Sequence, residues 1–220
     1  MRDAFKGVVI GVVLLALFGA IATRLGWIIA SPPRLQGTGA WMFSRVTGLV
    51  AYVALSLDVI VGLLVSTRSA DRLAPRGQLV DIHRWLSPLT LALVLAHGGV
   101  LLADSYVRFD VIDLFVPFAS SRWPVAIGVG VLAGYLVLVV HLSFGLRKRI
   151  GTAVWRRIHY VSFVAFLLVT VHAIAVGTDR ANPWFASVYV ALLLAVASLV
   201  GVRLRRTRAA SARSAITGKP

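Results

Sequence analysis

The sequence predicts an all-α, polytopic membrane protein built as a six-transmembrane-helix bundle. Three observations support this fold class. The 220 residues are 59% hydrophobic with a mean hydropathy of +0.87, well beyond an ordinary soluble domain. Six apolar stretches each approach the roughly 20 residues that a helix needs to cross a bilayer. Four of the five histidines lie as two spaced pairs on two of these stretches.

The six predicted spans, in chain order, are 7–30, 41–67, 81–103, 124–146, 153–177 and 183–203. A basic start precedes the first span as in a signal peptide, but its apolar stretch is long for one, so we expect a retained helix. Prolines at 124 and 183 open the fourth and sixth spans, where a missing N–H costs little. We therefore expect one membrane domain over 1–205 and a basic cytoplasmic tail over 206–220, disordered because it is polar and rich in small residues.

The charge distribution predicts the orientation of the spans. The net charge is +15, and in a membrane chain this excess reflects loop topology rather than binding to nucleic acid. With six spans and a cytoplasmic N-terminus, 17 of the 23 Lys and Arg residues fall on the cytoplasmic side, so both termini are predicted to be cytoplasmic. The chain has no cysteine, which excludes disulfides, iron–sulfur clusters and thiolate-bound haem.

The paired histidines predict two metal centres. His83 and His97 are 14 residues apart on the third span, and His159 and His172 are 13 apart on the fifth. Such a separation climbs roughly 20 Å along a helix. Because both spans run from inside to outside, His83 and His159 match in depth near the inner face, and His97 and His172 match nearer the outer face. Imidazole is a good axial ligand for haem iron, so the pattern predicts a transmembrane path for electrons.

Two questions stay open at this level. The four histidines could instead be unrelated residues hydrogen-bonded to backbone or water, although two pairs in register disfavour this. Thirteen residues also leave two imidazoles about 140° apart on an ideal helix. Either the fifth span is distorted between His159 and His172, or the two metal planes are rotated relative to each other.

The spaced histidines and three local segments resemble the ferric reductase-like transmembrane domain superfamily. The segments are Ser44-Arg45-Val46-Thr47-Gly48-Leu49-Val50-Ala51, Val116-Pro117-Phe118-Ala119-Ser120-Ser121-Arg122 and Val154-Trp155-Arg156-Arg157-Ile158-His159. The resemblance covers roughly residues 40–185 and is greatest to compact bacterial members. That superfamily includes NADPH oxidases, ferric-chelate reductases and the haem-binding subunit of the methionine-sulfoxide reductase.

The resemblance implies two stacked b-type haems, one held by His83 with His159 and the other by His97 with His172, in a bacterial plasma membrane. It also shows one departure. Oxidases and chelate reductases of the superfamily carry a flavin and nicotinamide domain, whereas only a short basic tail follows the sixth span here, with no Gly-rich dinucleotide fingerprint. Flavin is therefore expected only on a partner protein, and electrons would come from that partner or from a membrane quinol.

Five further polar residues in the spans are candidates for supporting roles. Arg45, Arg84 and Arg157 could bind haem propionates through their forked guanidinium groups, or could serve as interfacial and topology residues. Asp58 could orient a ligand histidine, carry protons or pair with an arginine. His141 could contact a propionate or a quinone, or be a packing residue.

The sequence thus predicts a membrane cytochrome b, an oxidoreductase component that passes electrons from a cytoplasmic or quinol donor to an acceptor at the outer face. Bis-histidine iron has no open position, so the acceptor is expected to react at the haem edge. The alternatives are a non-redox divalent-metal transporter that uses histidine and aspartate ligands, and a structural subunit that anchors a soluble enzyme. Glycines 128, 130 and 134 include a small-xxx-small spacing that could let the fourth span approach a neighbouring helix or a porphyrin, and close helix packing is favoured.

Overall fold

Long helices account for nearly all of the structure. The computed structural model describes residues 39–72, 74–104, 109–177 and 182–217, and these are 88% helical with no strand among them. A 3₁₀ turn, Val100–Ala103, continues the second helix. The helices are α1 (Gly39–Thr67), α2 (Arg76–Gly99), α3 (Val111–Phe115), α4 (Pro124–Val176) and α5 (Pro183–Thr217).

The predicted membrane character is confirmed for the described part of the chain. Within it, four helices are long and apolar enough to cross a membrane: α1, α2 with its 3₁₀ turn, α4 and α5. The predicted spans 41–67, 81–103 and 183–203 lie on α1, α2 and α5, and the spans 124–146 and 153–177 both lie on α4. The first predicted span, 7–30, lies outside the described residues.

Two helical arms make up α4. Gly151 has φ 81° and ψ 157°, a left-handed backbone that favours glycine, and it separates an arm over 124–150 from an arm over 152–176. The chain reverses there, since the rings of Phe144 and Trp155 lie 6.2 Å apart although 11 residues of continuous helix would rise about 16 Å. His172 and Ala126 are likewise in hydrogen-bond contact. The arms therefore run antiparallel.

The chain divides into two compact units. The first comprises residues up to Tyr52 with Pro88–Gly177, and the second comprises Val53–Ser87 with Thr178–Pro220. In the first unit Tyr52 of α1 and Phe166 of the second α4 arm are fully buried and stack with ring centroids 6.2 Å apart. In the second unit Leu63 and Ser56 of α1 are fully buried. Each half of α1 thus contributes to a different core.

Three peripheral features complete the fold. The backbone N–H of Asp110 donates to Asp113 Oδ2 at 2.9 Å, which caps α3. The Tyr135 hydroxyl donates to the carbonyl of Phe115 and ties α3 to the first α4 arm. At the other end, α5 continues to Thr217, so the tail expected to be disordered after 205 is helical in its described part. Its alanine and arginine content favours this, because both residues have high helix propensity.

Candidate functional site

His97 of α2 and His172 of the second α4 arm lie opposite each other inside the first unit. Their ring centroids are 6.2 Å apart, and the ring planes stand at 77°. These two residues are called the facing pair below. The structure thus brings together the two histidines that the sequence predicted to share the outer level.

A neighbouring helix fixes the ring of His97. Its Nδ1 lies 2.8 Å from the carbonyl oxygen of Ser44 on α1, and since a carbonyl only accepts, Nδ1 donates. The Ser44 hydroxyl lies 3.1 Å from the same nitrogen and donates to the His97 carbonyl at 3.0 Å. Gly48, one turn further along α1, leaves room for the ring, because a Cβ there would lie 2.8 Å from Nδ1 and Cε1.

His172 is fixed by the same arrangement on a different helix. Its Nδ1 donates to the carbonyl of Ala126, 2.8 Å away on the first α4 arm. Gly130 follows Ala126 by four residues, and a Cβ on it would lie 2.5 Å from His172 Nδ1 and Cε1. The ring therefore fits only because position 130 has no side chain.

His83 repeats the arrangement in the second unit and adds a charge. Its Nδ1 lies 3.2 Å from the carbonyl oxygen of Asp58 and 2.7 Å from the carboxylate Oδ1 of the same residue. Gly62 lies four residues after Asp58, and a Cβ there would be 3.3 Å from the His83 ring. Of the three roles considered for Asp58, contact with a histidine agrees with this geometry, and whether His83 binds a metal stays a prediction.

These three sites share one feature, which we call a carbonyl–glycine notch: a helical carbonyl at position i and a glycine at i+4. The carbonyl keeps its bond to the helix N–H and uses its second lone pair for the imidazole. The missing Cβ one turn later lets the ring approach. Donation from Nδ1 fixes the neutral tautomer with its lone pair on Nε2, which is how metal-binding histidines are oriented by their surroundings.

The centroid spacing of the facing pair can be compared with the spacing of two imidazoles bound to one metal. A metal–imidazole bond is about 2.0–2.1 Å, which would put two ring centroids on opposite sides of one metal about 6.3 Å apart. The observed 6.2 Å agrees with this spacing. In the described ranges no group of three or more His, Cys, Asp or Glu side chains that could hold a bare metal ion is present. The described residues therefore offer no larger cluster of side-chain ligands than the facing pair.

The structure gives the following positions for the remaining predicted residues. His159 stacks on Trp155 with centroids 5.2 Å apart, and its pairing with His83 stays a prediction. Arg84 is exposed and lies 3.5 Å from Asp81 Oδ1. Arg45 lies 3.9 Å from the Met42 sulfur. Arg157 is exposed and His141 is partly buried.

Sequence reasoning missed the notch residues themselves. Gly130 was singled out for close approach to a helix or a porphyrin, and Ser44, Gly48 and Gly62 were given no role toward a histidine. A partial signal was present, because each glycine lies beside a histidine once the helices are paired antiparallel. Choosing the partner helix required the three-dimensional structure.

Comparison with known families gives one result. Residues 40–179 match the model of a family described as a domain of unknown function (DUF8596), and the chain belongs to that family. The matched segment includes the facing pair and all three notches. No curated protein and no solved structure matches the chain.

Proposed function

We propose that this DUF8596 member is a membrane cytochrome b that carries electrons between the two faces of a bilayer through two b-type haems, each held by two histidines. The observation that carries the proposal is the facing pair, whose rings lie 6.2 Å apart with each Nδ1 engaged by a backbone carbonyl. The apolar helices support a location in a membrane.

The donor set fits haem iron. A porphyrin supplies four nitrogen ligands, so the protein needs to provide only two, one on each side of the ring plane. His97 and His172 provide two Nε2 lone pairs from different helices. Both rings are neutral imidazoles of fixed tautomer, which is the form that ligates iron. The perpendicular planes are compatible, because each ring can turn about its own metal bond without changing the spacing.

The chain's own residues would bind and orient the group in defined ways. Ser44 and Ala126 hold the imidazoles by their carbonyls, and Gly48 and Gly130 keep those approaches open. When bound, haem b supplies reversible one-electron chemistry at its iron. Two histidines on one iron leave no position for a substrate, so this site would transfer electrons rather than make bonds.

The second haem in the proposal is held by His83 and His159. His83 supports this through its notch on α1 and the adjacent Asp58 carboxylate. Arg45, Arg84 and Arg157 are proposed as partners of the propionates, and the similarity to ferric reductase-like proteins suggests a flavin-bearing protein or a quinol as donor on the cytoplasmic side. The acceptor lies at the outer face in this scheme.

The test is the absorption spectrum of the purified protein before and after dithionite, with haem counted as its pyridine complex. We expect two low-spin b haems per chain. His97→Ala and His172→Ala should each remove the same haem, and His83→Ala and His159→Ala the other. Purified protein with no haem, in cells supplied with haem precursor, would contradict the proposal and favour a metal transporter or an anchor subunit instead.

A further inference from the structure

We infer that residues 110–123, which include α3 and lead into α4, form a re-entrant surface that inserts its apolar side into the lipid of the bilayer. This segment is called the connector below. The predicted spans 81–103 and 124–146 would instead leave it as a loop in water outside the membrane. The placement goes beyond the proposed function and needs no haem.

Two contacts fasten the connector along the side of the first α4 arm. The Tyr135 hydroxyl donates to the carbonyl of Phe115, and Tyr135 lies 11 residues, about 16 Å, along the arm from Pro124. Phe118 lies against Gly128, where an added Cβ would come 2.6 Å from the Phe118 backbone nitrogen. Gly128 and Tyr135 are seven residues apart, so they lie on one side of the arm. The connector therefore runs down beside the arm and returns to Pro124.

The connector lies on the side of the arm that is turned away from the facing pair. Ala126 and Gly130 form the notch that receives His172, so they mark the side toward the second arm. Gly128 is two residues from each of them, and at 100° per residue it lies on about the opposite side. Phe118 thus packs on the outer side of the two arms, where membrane helices meet lipid.

The exposed surface of the connector is apolar. Large side chains that are between 46% and 57% exposed follow one another along it: Ile112, Phe115, Val116, Phe118 and Trp123. The exposed side chains of Val125 and Val139 continue this surface along the arm. A loop in water would carry these residues as an exposed apolar patch, which soluble surfaces avoid, and aromatic residues are typical of the membrane interface. The lipid that covers the arm therefore covers the connector as well.

The charged residues of the connector lie at its two ends. Asp110 precedes α3, and the Asp113 carboxylate reaches back to the backbone N–H of Asp110 at 2.9 Å. At the other end the Arg122 guanidinium lies 5.8 Å from the centroid of the Trp123 ring. Because a carboxylate is costly in hydrocarbon, the start of α3 with Val111 lies at the water edge, and the apolar residues between the two ends lie deeper.

The test is site-directed spin labelling in vesicles of phosphatidylethanolamine and phosphatidylglycerol. The chain has no cysteine, so single nitroxide labels can be attached at Ile112→Cys and Val116→Cys. Collisions with oxygen, which concentrates in lipid, and with a polar nickel complex, which stays in water, report the surroundings of each label. We expect both labels to match Val139→Cys on the exposed side of the arm. Their ratio of oxygen to nickel collisions should exceed that of the exposed Gln78→Cys several-fold.

Gly128→Ala tests the fastening of the connector to the arm. The added methyl group meets the Phe118 backbone, which cannot rotate aside as a flexible side chain could. The connector should therefore detach, and the label at Val116→Cys should gain nickel collisions several-fold. Gly134→Ala is the matched control, because its methyl group would lie 3.8 Å from the nearest atom, on Val94, and it should leave the label unchanged.

Two outcomes would overturn the inference. Labels at Ile112→Cys and Val116→Cys that meet nickel as freely as Gln78→Cys would place the connector in water. Labels shielded from both reagents would show a surface covered by protein, either a partner or a second copy of this chain. Neither outcome depends on haem content, so the proposed function is tested separately.

Discussion

Placing alanine at a notch glycine should impair haem binding more strongly where the histidine ring lies closer to that glycine. The distances from an added Cβ to the nearest side-chain atom are 2.5 Å at Gly130, 2.8 Å at Gly48 and 3.3 Å at Gly62. At Gly134, on the same arm as Gly130, the nearest atom is a Val94 methyl at 3.8 Å. We expect haem loss to follow that order, with Gly134→Ala as the matched control.

The magnitude can be worked out at Gly130. Ordinary carbon contacts begin near 3.5 Å, so the His172 ring would have to move by about 1 Å. Its bond to the Ala126 carbonyl, 2.8 Å long, would then be lost. A lost hydrogen bond costs about 0.5–1.5 kcal/mol and overpacking about 1–3 kcal/mol, while Gly→Ala in a helix returns about 1 kcal/mol. The net destabilisation of the loaded site is about 0.5–3.5 kcal/mol, or roughly 2- to 400-fold in haem affinity.

The assay is haem per chain, combined with thermal unfolding of the purified variants. At Gly134 the alanine meets no close atom, so the helix-propensity gain should leave stability equal or raised by up to about 1 kcal/mol. Gly62→Ala should be close to neutral, since a small shift of the ring relieves the contact. The reasoning fails if Gly130→Ala keeps full haem and an unchanged spectrum, or if Gly134→Ala loses as much haem as Gly130→Ala.

Two further predictions address orientation and charge. The chain has no cysteine, so a single engineered cysteine can be labelled without background. An impermeant maleimide should label Gln78→Cys from the cytoplasmic side and Val111→Cys from the outside. Labelling of both from one side would contradict the parallel arrangement of the histidine-bearing helices. Arg45→Gln should lower the potential of the facing-pair haem, because a propionate that loses its cation favours ferric iron, whereas Arg45→Lys should shift it less; an unchanged potential with full haem would leave Arg45 as an interfacial residue.

Sequence patterns were sufficient for the helices and for the outer pair of histidines. Apolar length fixes where a chain can cross a bilayer, and the predicted spans from 41–67 onward each lie on a helix. His97 and His172 could be paired because topology and helix rise set their depth. The reversal at Gly151 was also implied, since a basic segment separated two apolar runs.

The supporting contacts could not be predicted in the same way. Every residue has a backbone carbonyl, so the residue type of Ala126 does not indicate that its carbonyl accepts a hydrogen bond from a histidine. The angular problem between His159 and His172 was likewise open. Gly151 is the one residue of α4 with non-helical dihedrals, so the helix is regular between these histidines and the span is not distorted there.

The notches also affect the conformational entropy that the protein loses when a ligand binds to the facing pair. Both rings of the facing pair are held by hydrogen bonds to other helices. Immobilising a side chain on binding costs about 0.5–1.5 kcal/mol, so two pre-oriented rings save about 1–3 kcal/mol. That saving corresponds to roughly 5- to 150-fold in affinity. Weakening the notches should therefore slow or weaken cofactor capture even where the final ligation remains the same.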